Sequence, residues 1–400
     1  MSKHIVLIHR YFSPDTPPYA SLLRDLAEHL GRGGNQVTVL TCQPSYTRSI
    51  VRRAARSEQL SPGVTVVRWP VLSDRSSMLL KAVNLLWFCV RLITHVPRMG
   101  HVDVVMAAST PPIAVAHVAG WLARRKGAAF VYHKQDIYPE VALRPGSTPG
   151  AVARFLRSID GRTDRSATKV VVLSRDMAAT TRQRGARSDQ IAVINNFDPW
   201  RLDGMRLDGP AVRSGGELQV VFAGNLGRFQ NLETLFEAMV DLRDDTIRFH
   251  FFGEGALKGR LTDLVREKGL GRVVVHGYEE PGRLATFLSC SADLGVVSLA
   301  PGVIRAAYPS KTMSYLRHGV PLLALVDADS ELAATVRRAG VGCQIDPANL
   351  AELVGTLRHL VKDRSQLDSA RERAQRLYVD EFDRDRRLRD WDGIFAEVTT

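Results

Sequence analysis

Short apolar runs alternate with helical patterns along this chain, and they do so in two series separated by one break. That alternation is the mark of parallel strands joined by crossover helices. In the first series the strand candidates are Ile5–Ile8, Val37–Leu40, Val64–Arg68, Val102–Ala107, Ala129–His133, Val170–Leu173 and Ile191–Ile194. Helices are expected near 20–31, 79–97, 113–125, 151–165 and 176–184. Uninterrupted runs such as Val170-Val171-Val172-Leu173 fit strands covered on both faces. The pattern stops at Asp198–Gly216, where prolines and glycines without apolar periodicity read as a linker. The second series has strands at Val220–Phe222, Arg248–Phe252, Val273–His276, Leu294–Val297, Leu322–Val326 and Gly342–Ile345. Its helices fall near 232–242, 257–268, 282–290, 310–318, 331–339 and 349–361, and two charged amphipathic helices follow over 363–398. The expectation is an α/β protein of two Rossmann-like doubly wound domains facing a central cleft. They span 1–198 and 217–380, joined by a linker at 199–216, with a helix at 381–400 crossing back to the first domain. Ligands of such sheets bind beyond the carboxyl ends of the strands, so the loops after strands should carry the chemistry.

Lys and Arg number 54 against 42 Asp and Glu, a formal net charge of +12. An excess of that size favours anionic partners such as nucleotides, lipid phosphates or a membrane surface. The basic residues are scattered, without finger spacing or a basic-aromatic RNA motif, which argues against nucleic acid. Cys42, Cys89, Cys290 and Cys343 form no C-x-x-C pair and have no His at ligand spacing. They read as reduced thiols of a cytosolic protein with no metal site and no cofactor. The start, His4-Ile5-Val6-Leu7-Ile8-His9, runs directly into a strand pattern, so no signal peptide is expected. Residues 78–99 place Lys81, Arg91 and Arg98 among Leu, Val, Trp and Phe. That segment is expected to be too charged to span a bilayer. It is suited either to packing on the sheet or to lying in the interface of an anionic membrane.

Five segments stand out. Val221-Phe222-Ala223-Gly224-Asn225-Leu226-Gly227 and Phe251-Phe252-Gly253-Glu254-Gly255 are glycine turns entering helices, compatible with a phosphate cradle and without the P-loop lysine pattern. Tyr308-Pro309-Ser310-Lys311-Thr312 opens a helix with a lysine in its first turn. A cation there opposes the helix dipole, and a bound anion supplies the reason. His133-Lys134-Gln135-Asp136-Ile137-Tyr138-Pro139-Glu140 crowds polar groups at one strand exit, which points to a cleft role. The loop Tyr11–Ala20 occupies the equivalent position after the first strand.

Taken in order, these segments resemble the retaining family-four glycosyltransferases of the GT-B fold. They are most similar to the bacterial exopolysaccharide and O-antigen enzymes of colanic-acid type. The resemblance runs from about His4 to Tyr378 through RYFSPDTPPYASLLRDLAEHL, the Ser-Thr-Pro-Pro and Asp-Ile-Tyr-Pro-Glu turns, VFAGNLGRFQNLETLFEA and YPSKTMSYLRHGVPLLA. It implies transfer of a sugar from a nucleotide-sugar donor, UDP before GDP, to a glycan, lipid-linked or natural-product acceptor. Transfer would proceed with retention and without a metal. On this resemblance His133, Asp136 and Lys311 are catalytic. Gly224, Asn225, Arg228, Gly253, Glu254, Tyr278, Pro309, Ser310, Lys311 and Glu331 bind the donor. Pro18, Tyr19, His133 and Glu140 face the acceptor. The family's usual Arg and Lys of the first second-domain loop fall on Asn225 and Gln230, and its paired glutamates fall on Ala306 and Ser314. Arg228 and Lys311 are the cations left to meet a diphosphate. Asp327-Ala328-Asp329 is read as a loop after a strand. A nucleotide-sugar 2-epimerase and a catalytically degenerate nucleotide-binding scaffold are the alternatives.

Overall fold

The computed structural model describes residues 2–15, 17–45, 54–72, 78–142, 150–200 and 216–399. Most of the expected linker lies outside them. The chain divides into two units. One comprises Met1–Pro199, Ala306–Tyr308 and Arg384–Thr400, the other Trp200–Arg305 and Pro309–Asp383.

The first unit runs β1 (His4–Ile8), α1 (Pro18–Arg32), β2 (Gln36–Cys42), β3 (Ser57–Ser61), β4 (Val64–Trp69), α2 (Met78–His95), β5 (Val104–Ala108), α3 (Ala114–Lys126), β6 (Ala129–Lys134), α4 (Ala151–Ser166), β7 (Lys169–Val172), α5 (Arg175–Gln183) and β8 (Ile191–Val193). The sheet order is β3-β4-β2-β1-β5-β6-β7-β8, parallel except for β3 against β4. The sequence reading missed β3. Its residues Ser-Glu-Gln-Leu-Ser lack an apolar alternation because an edge strand faces water and gains by being polar.

The second unit runs β9 (Leu218–Ala223), α6 (Glu233–Asp241), β10 (Ile247–Phe252), α7 (Lys258–Lys268), β11 (Val273–Gly277), α8 (Pro281–Cys290), β12 (Leu294–Ser298), α9 (Lys311–Arg317), β13 (Leu322–Leu325), α10 (Glu331–Ala339), β14 (Gly342–Ile345), α11 (Leu350–Lys362) and α12 (Ser365–Leu377). Its six strands are all parallel, in the order β11-β10-β9-β12-β13-β14. A π-helical turn, Tyr378–Phe382, precedes α13 (Arg384–Glu397). This last helix belongs to the first unit. Leu388, Trp391, Ile394 and Phe395 complete the core that Ile5, Leu7, Leu23, Leu26 and Leu30 build around β1 and α1.

Both sheets reverse strand order at an interior strand. β1 has β2 on one side and β5 on the other, and β9 lies between β10 and β12. Loops leaving such neighbouring strands diverge and open a crevice at the carboxyl ends.

One expectation needs correcting. By length and composition alone, Leu79–Arg98 is apolar enough to cross a membrane, with a hydropathy of 1.5 over its window. The expectation that its charges forbid this gave too much weight to three cations dispersed among so many large apolar residues. What ties the helix to the first unit is packing, with Asn84, Phe88, Cys89 and Leu92 buried.

Candidate functional site

In the second unit the site is built on the β9 exit. Gly253, at the neighbouring β10 exit, has φ 129°, and a Cβ placed on it would stand 2.0 Å from the carbonyl oxygen of Gly224. The two strand exits therefore touch backbone to backbone, which no residue with a side chain permits. Tyr315, in α9, holds the third component. The backbone N–H of Ala223 donates to its hydroxyl at 2.7 Å, and its ring fills the space that a side chain on Gly295 would occupy. This bond pins the short helix α9 to the end of β9.

Lys311, first residue of α9, is thereby laid across that end. Its ammonium donates to Oε1 of Gln230 and sits 4.3 Å from the centre of the Phe222 ring. No carboxylate pairs with it among the described residues. Burial without a counter-charge pushes its pKa from 10.5 down to about 7. Gln230, noted in the sequence as a departure from the usual Lys, is thus a ligand of Lys311. Nearby, Arg228 is exposed and forms no ion pair among the described residues, and Asn225 and Ser310 are exposed. Pro309 is buried, and the Thr312 hydroxyl is buried without a hydrogen-bond partner.

The Glu254 carbonyl accepts from the Leu226 N–H at 2.9 Å, which joins it to the Gly224–Gly227 loop, but none of the remaining donor candidates pairs with Lys311 among the described residues. Glu254 pairs with Lys258 at 2.6 Å, and Tyr278 stands exposed beyond β11. Glu331 opens α10 behind the Ser330 cap, and neither it nor Tyr278 is hydrogen-bonded to Lys311. In the Asp327-Ala328-Asp329 segment, the Gly302 N–H donates to Asp327 at 2.8 Å and Arg305 pairs with Asp329 at 2.7 Å. Both carboxylates hold loop backbone and side chains in place.

In the first unit the site lies at the exits of β1, β5 and β6. The amide nitrogen of Gln135 lies 2.8 Å from His133 Nε2 and the Tyr19 hydroxyl 2.8 Å from Nδ1, while the Trp391 ring packs edge-on at 4.8 Å. With Gln135 donating to Nε2, the proton of the neutral ring is on Nδ1 and goes to Tyr19 oxygen. His133 is 3% exposed, and desolvation, reinforced by the nearby His9, pushes its pKa down to about 3. The ring stays neutral at physiological pH and is hydrogen-bonded to the Tyr19 hydroxyl. Pro18, the residue before, is exposed in the first turn of α1.

Asp136 is different. The Ser109 hydroxyl oxygen accepts from the N–H groups of Gln135 and Asp136 at 3.0 and 3.1 Å, which fixes the turn. The Asp136 carboxyl makes no hydrogen bond among the described residues, and burial raises its pKa to about 6. Glu140, expected beside it, is tied elsewhere. It pairs with Arg157 at 2.8 Å and with Arg184, which also reaches Asp160. Asp160 and Asp164 in turn enclose Lys134 at 2.8 and 2.7 Å. Lys134 and His133 are successive residues of a strand, so they point to opposite faces of the sheet. The crowding seen in the sequence thus resolves into an aromatic-histidine cluster on one face and an ion network on the other.

Two parallel doubly wound sheets are the units of the GT-B fold, and two glycosyltransferase family models that match successive stretches of the chain place it among the glycosyltransferases. The glycosyl transferase 4-like domain family matches residues 19–196, and the glycosyl transferases group 1 family matches residues 217–363. Among curated proteins, the colanic acid biosynthesis glycosyl transferase WcaI of Escherichia coli (strain K12) is 24% identical over 383 residues, covering 91% of this chain and 94% of that one. Among solved structures, sucrose-phosphate synthase of Thermosynechococcus elongatus superposes with a TM-score of 0.75 at 18% identity, covering 99% of both chains. HepE of Anabaena in complex with UDP-glucose gives 0.70 at 15% identity, covering 98% of this chain and 99% of that one.

Proposed function

We propose that this glycosyltransferase takes a sugar from a UDP-sugar and delivers it, with retention and without a catalytic metal, to a hydroxyl of a saccharide acceptor in polysaccharide biosynthesis. The observation that carries this reading is Lys311, a desolvated ammonium with no carboxylate partner among the described residues, at the strand exit of the second unit. A buried cation without a counter-ion is costly, and a donor diphosphate would supply the missing charge. Fold relatives solved with UDP or UDP-glucose support a uridine nucleotide.

In this reading the bond from the sugar's anomeric carbon to the diphosphate oxygen breaks. Lys311, Arg228 and the Gly224–Gly227 loop stabilise the charge left on that oxygen. The acceptor oxygen bonds to the anomeric carbon on the same face, and its proton passes to the departing diphosphate oxygen. Tyr19, positioned by His133, and the ionised carboxylate of Asp136 hold the acceptor hydroxyl. Peripheral contact with an anionic membrane through residues 78–99 completes the proposal.

Thermal-shift measurements with UDP- and GDP-sugars test the donor, since a ligand that binds only the native state raises Tm. Transfer measured in EDTA, with NMR of the new linkage, tests the rest. Loss of activity restored only by Mn²⁺ or Mg²⁺, or inversion at the anomeric carbon, would overturn the mechanism.

A further inference from the structure

Behind Tyr19 the hydrogen bonds continue past His133 to another strand exit. Gln135 and Asn196 face each other as two carboxamides. The Asn196 amide donates to Gln135 Oε1 at 2.7 Å. The Gln135 amide, already 2.8 Å from His133 Nε2, reaches Asn196 Oδ1 at 3.3 Å. Asn196 lies in the segment that leaves β8, the edge strand of the first sheet. Tyr19, His133, Gln135 and Asn196 therefore form one chain of hydrogen bonds, from the first turn of α1 to the sheet edge.

Each member of that chain fixes the direction of the next. A neutral imidazole donates from one nitrogen and accepts at the other. Trp391 and Tyr19 pack edge-on against the His133 ring, with centroids at 4.8 and 5.3 Å, and hold its two nitrogens in place. With Asn196 donating to Gln135 Oε1, an N–H of Gln135 is what meets Nε2. The ring proton then sits on Nδ1 and goes to the Tyr19 oxygen, and the phenol proton is left to point elsewhere. Tyr19 is half-buried, and burial keeps its phenol protonated far above neutral pH, so it retains a proton to donate. Turned over together, the two carboxamides would keep the bonds between them and reverse the rest. Gln135 Oε1 would meet Nε2, the ring proton would move to Nε2, and Tyr19 would donate its own proton to Nδ1.

We infer that Asn196, acting through Gln135 and His133, is a positioning residue that keeps the Tyr19 hydroxyl proton free for donation to the acceptor. Donation to an acceptor rests on the glycosyltransferase reading above, whereas the direction of the hydrogen bonds does not.

Nitrogen NMR of the full chain carrying isotope-labelled histidine reads the tautomer, with the His133 signals assigned by their loss in His133→Gln. Wild type at neutral pH should show His133 protonated on Nδ1 and bare on Nε2. Asn196→Asp is the isosteric reversal. A carboxylate only accepts, so Gln135 must turn its N–H groups toward residue 196 and its oxygen toward Nε2. That variant should carry the proton on Nε2, and Asn196→Leu, which imposes neither direction, should show both tautomers. Asn196→Asp should also lower kcat/KM for transfer from a UDP-sugar to para-nitrophenyl glycosides about two- to tenfold, the range of one neutral hydrogen bond. KM for the donor, and the thermal shift the donor gives, should not move. Tyr19→Phe should lose as much, and Asn196→Asp on that background should lose no more. A wild-type ring protonated on Nε2, a tautomer that ignores Asn196→Asp, or a loss in transfer that persists undiminished when Tyr19 is replaced by Phe would each overturn the inference. A protein that shows these tautomers and binds no nucleotide sugar would instead overturn the glycosyltransferase reading and leave the hydrogen-bond chain standing.

Discussion

Donor binding should take up a proton, and Lys311 sets where. With a pKa near 7 in the free protein, the ammonium is about nine-tenths populated at pH 6 and about one-tenth at pH 8. The diphosphate of a nucleotide sugar is a diester whose two charges stay fixed across that range, so the ligand contributes no slope. If only the ammonium form binds, the donor Kd rises roughly tenfold between pH 6 and pH 8, about 1.4 kcal/mol. Calorimetry in two buffers of different ionisation enthalpy should report uptake of about 0.9 proton per donor bound at pH 8. Lys311→Arg keeps the charge at all these pH values and should bind with a flat profile. Lys311→Met should also be flat but weaker at pH 6 by roughly ten- to a hundredfold, the range of one charged hydrogen bond. Stability of the ligand-free protein moves the other way. Its folded pKa lies below the unfolded value of 10.5, so the unfolded chain binds more protons between pH 7 and 10.5 and stability rises with pH in that window. Lys311→Met should remove that rise. A wild-type donor affinity independent of pH, or an unchanged slope in Lys311→Met, would refute the assignment.

The profile of kcat/KM should be bell-shaped, with limbs near pH 6 from Asp136 and near pH 7 from Lys311, and Asp136→Asn should erase the acid limb while lowering the maximum. Because the folded pKa of Asp136 is raised above its unfolded 3.8, its contribution to stability is full below pH 3.8 and lost as pH rises through 6. Asp136→Asn should accordingly raise Tm at pH 7.5 and leave it nearly unchanged at pH 4. Gly253→Ala, forced at φ 129° against the Gly224 carbonyl, should lose donor affinity and about 1–3 kcal/mol of stability by denaturant titration. Lys134→Met strands Asp164 in a dry interior while Asp160 keeps Arg184 and Tyr132, and it should cost about 3–5 kcal/mol by the same measurement.

Most strands were legible because their apolar runs are covered on both faces, as in β5, β7, β9 and β12, and the helices because each carries its own period. What escaped was written in pairs. β3 has no pattern of its own, and only its partner β4 makes it a strand. Lys311 was legible as a cation at a helix start, but Gln230 read as a loss until the structure set it on the ammonium from 81 residues away. Nothing in the sequence singled out Tyr315, whose hydroxyl ties α9 to β9. Glu140 failed in the opposite sense. Its neighbourhood in sequence implied an open polar exit, while its partners Arg157 and Arg184 arrive from α4 and from the end of α5 and hold it within an ion network. Sequence proximity at a strand end cannot say which face of the sheet a side chain takes when the chain turns immediately afterwards.

The helix α13 also fixes when the first unit can finish folding during synthesis. Asp25 waits for Arg384, His29 for Asp392, and the apolar face of α1 for Trp391 and Phe395. At about 5–20 residues per second, the stretch from 199 to 395 keeps those partners absent for roughly 10–40 s after the first sheet has been made. Through that interval a nascent chain carries an uncovered apolar surface, while the second unit, whose segments lie between residues 200 and 383, has every residue it needs before α13 has been translated. Completion of the first unit thus follows synthesis of the whole second unit, and chaperones working on the nascent chain have that α1 surface to engage.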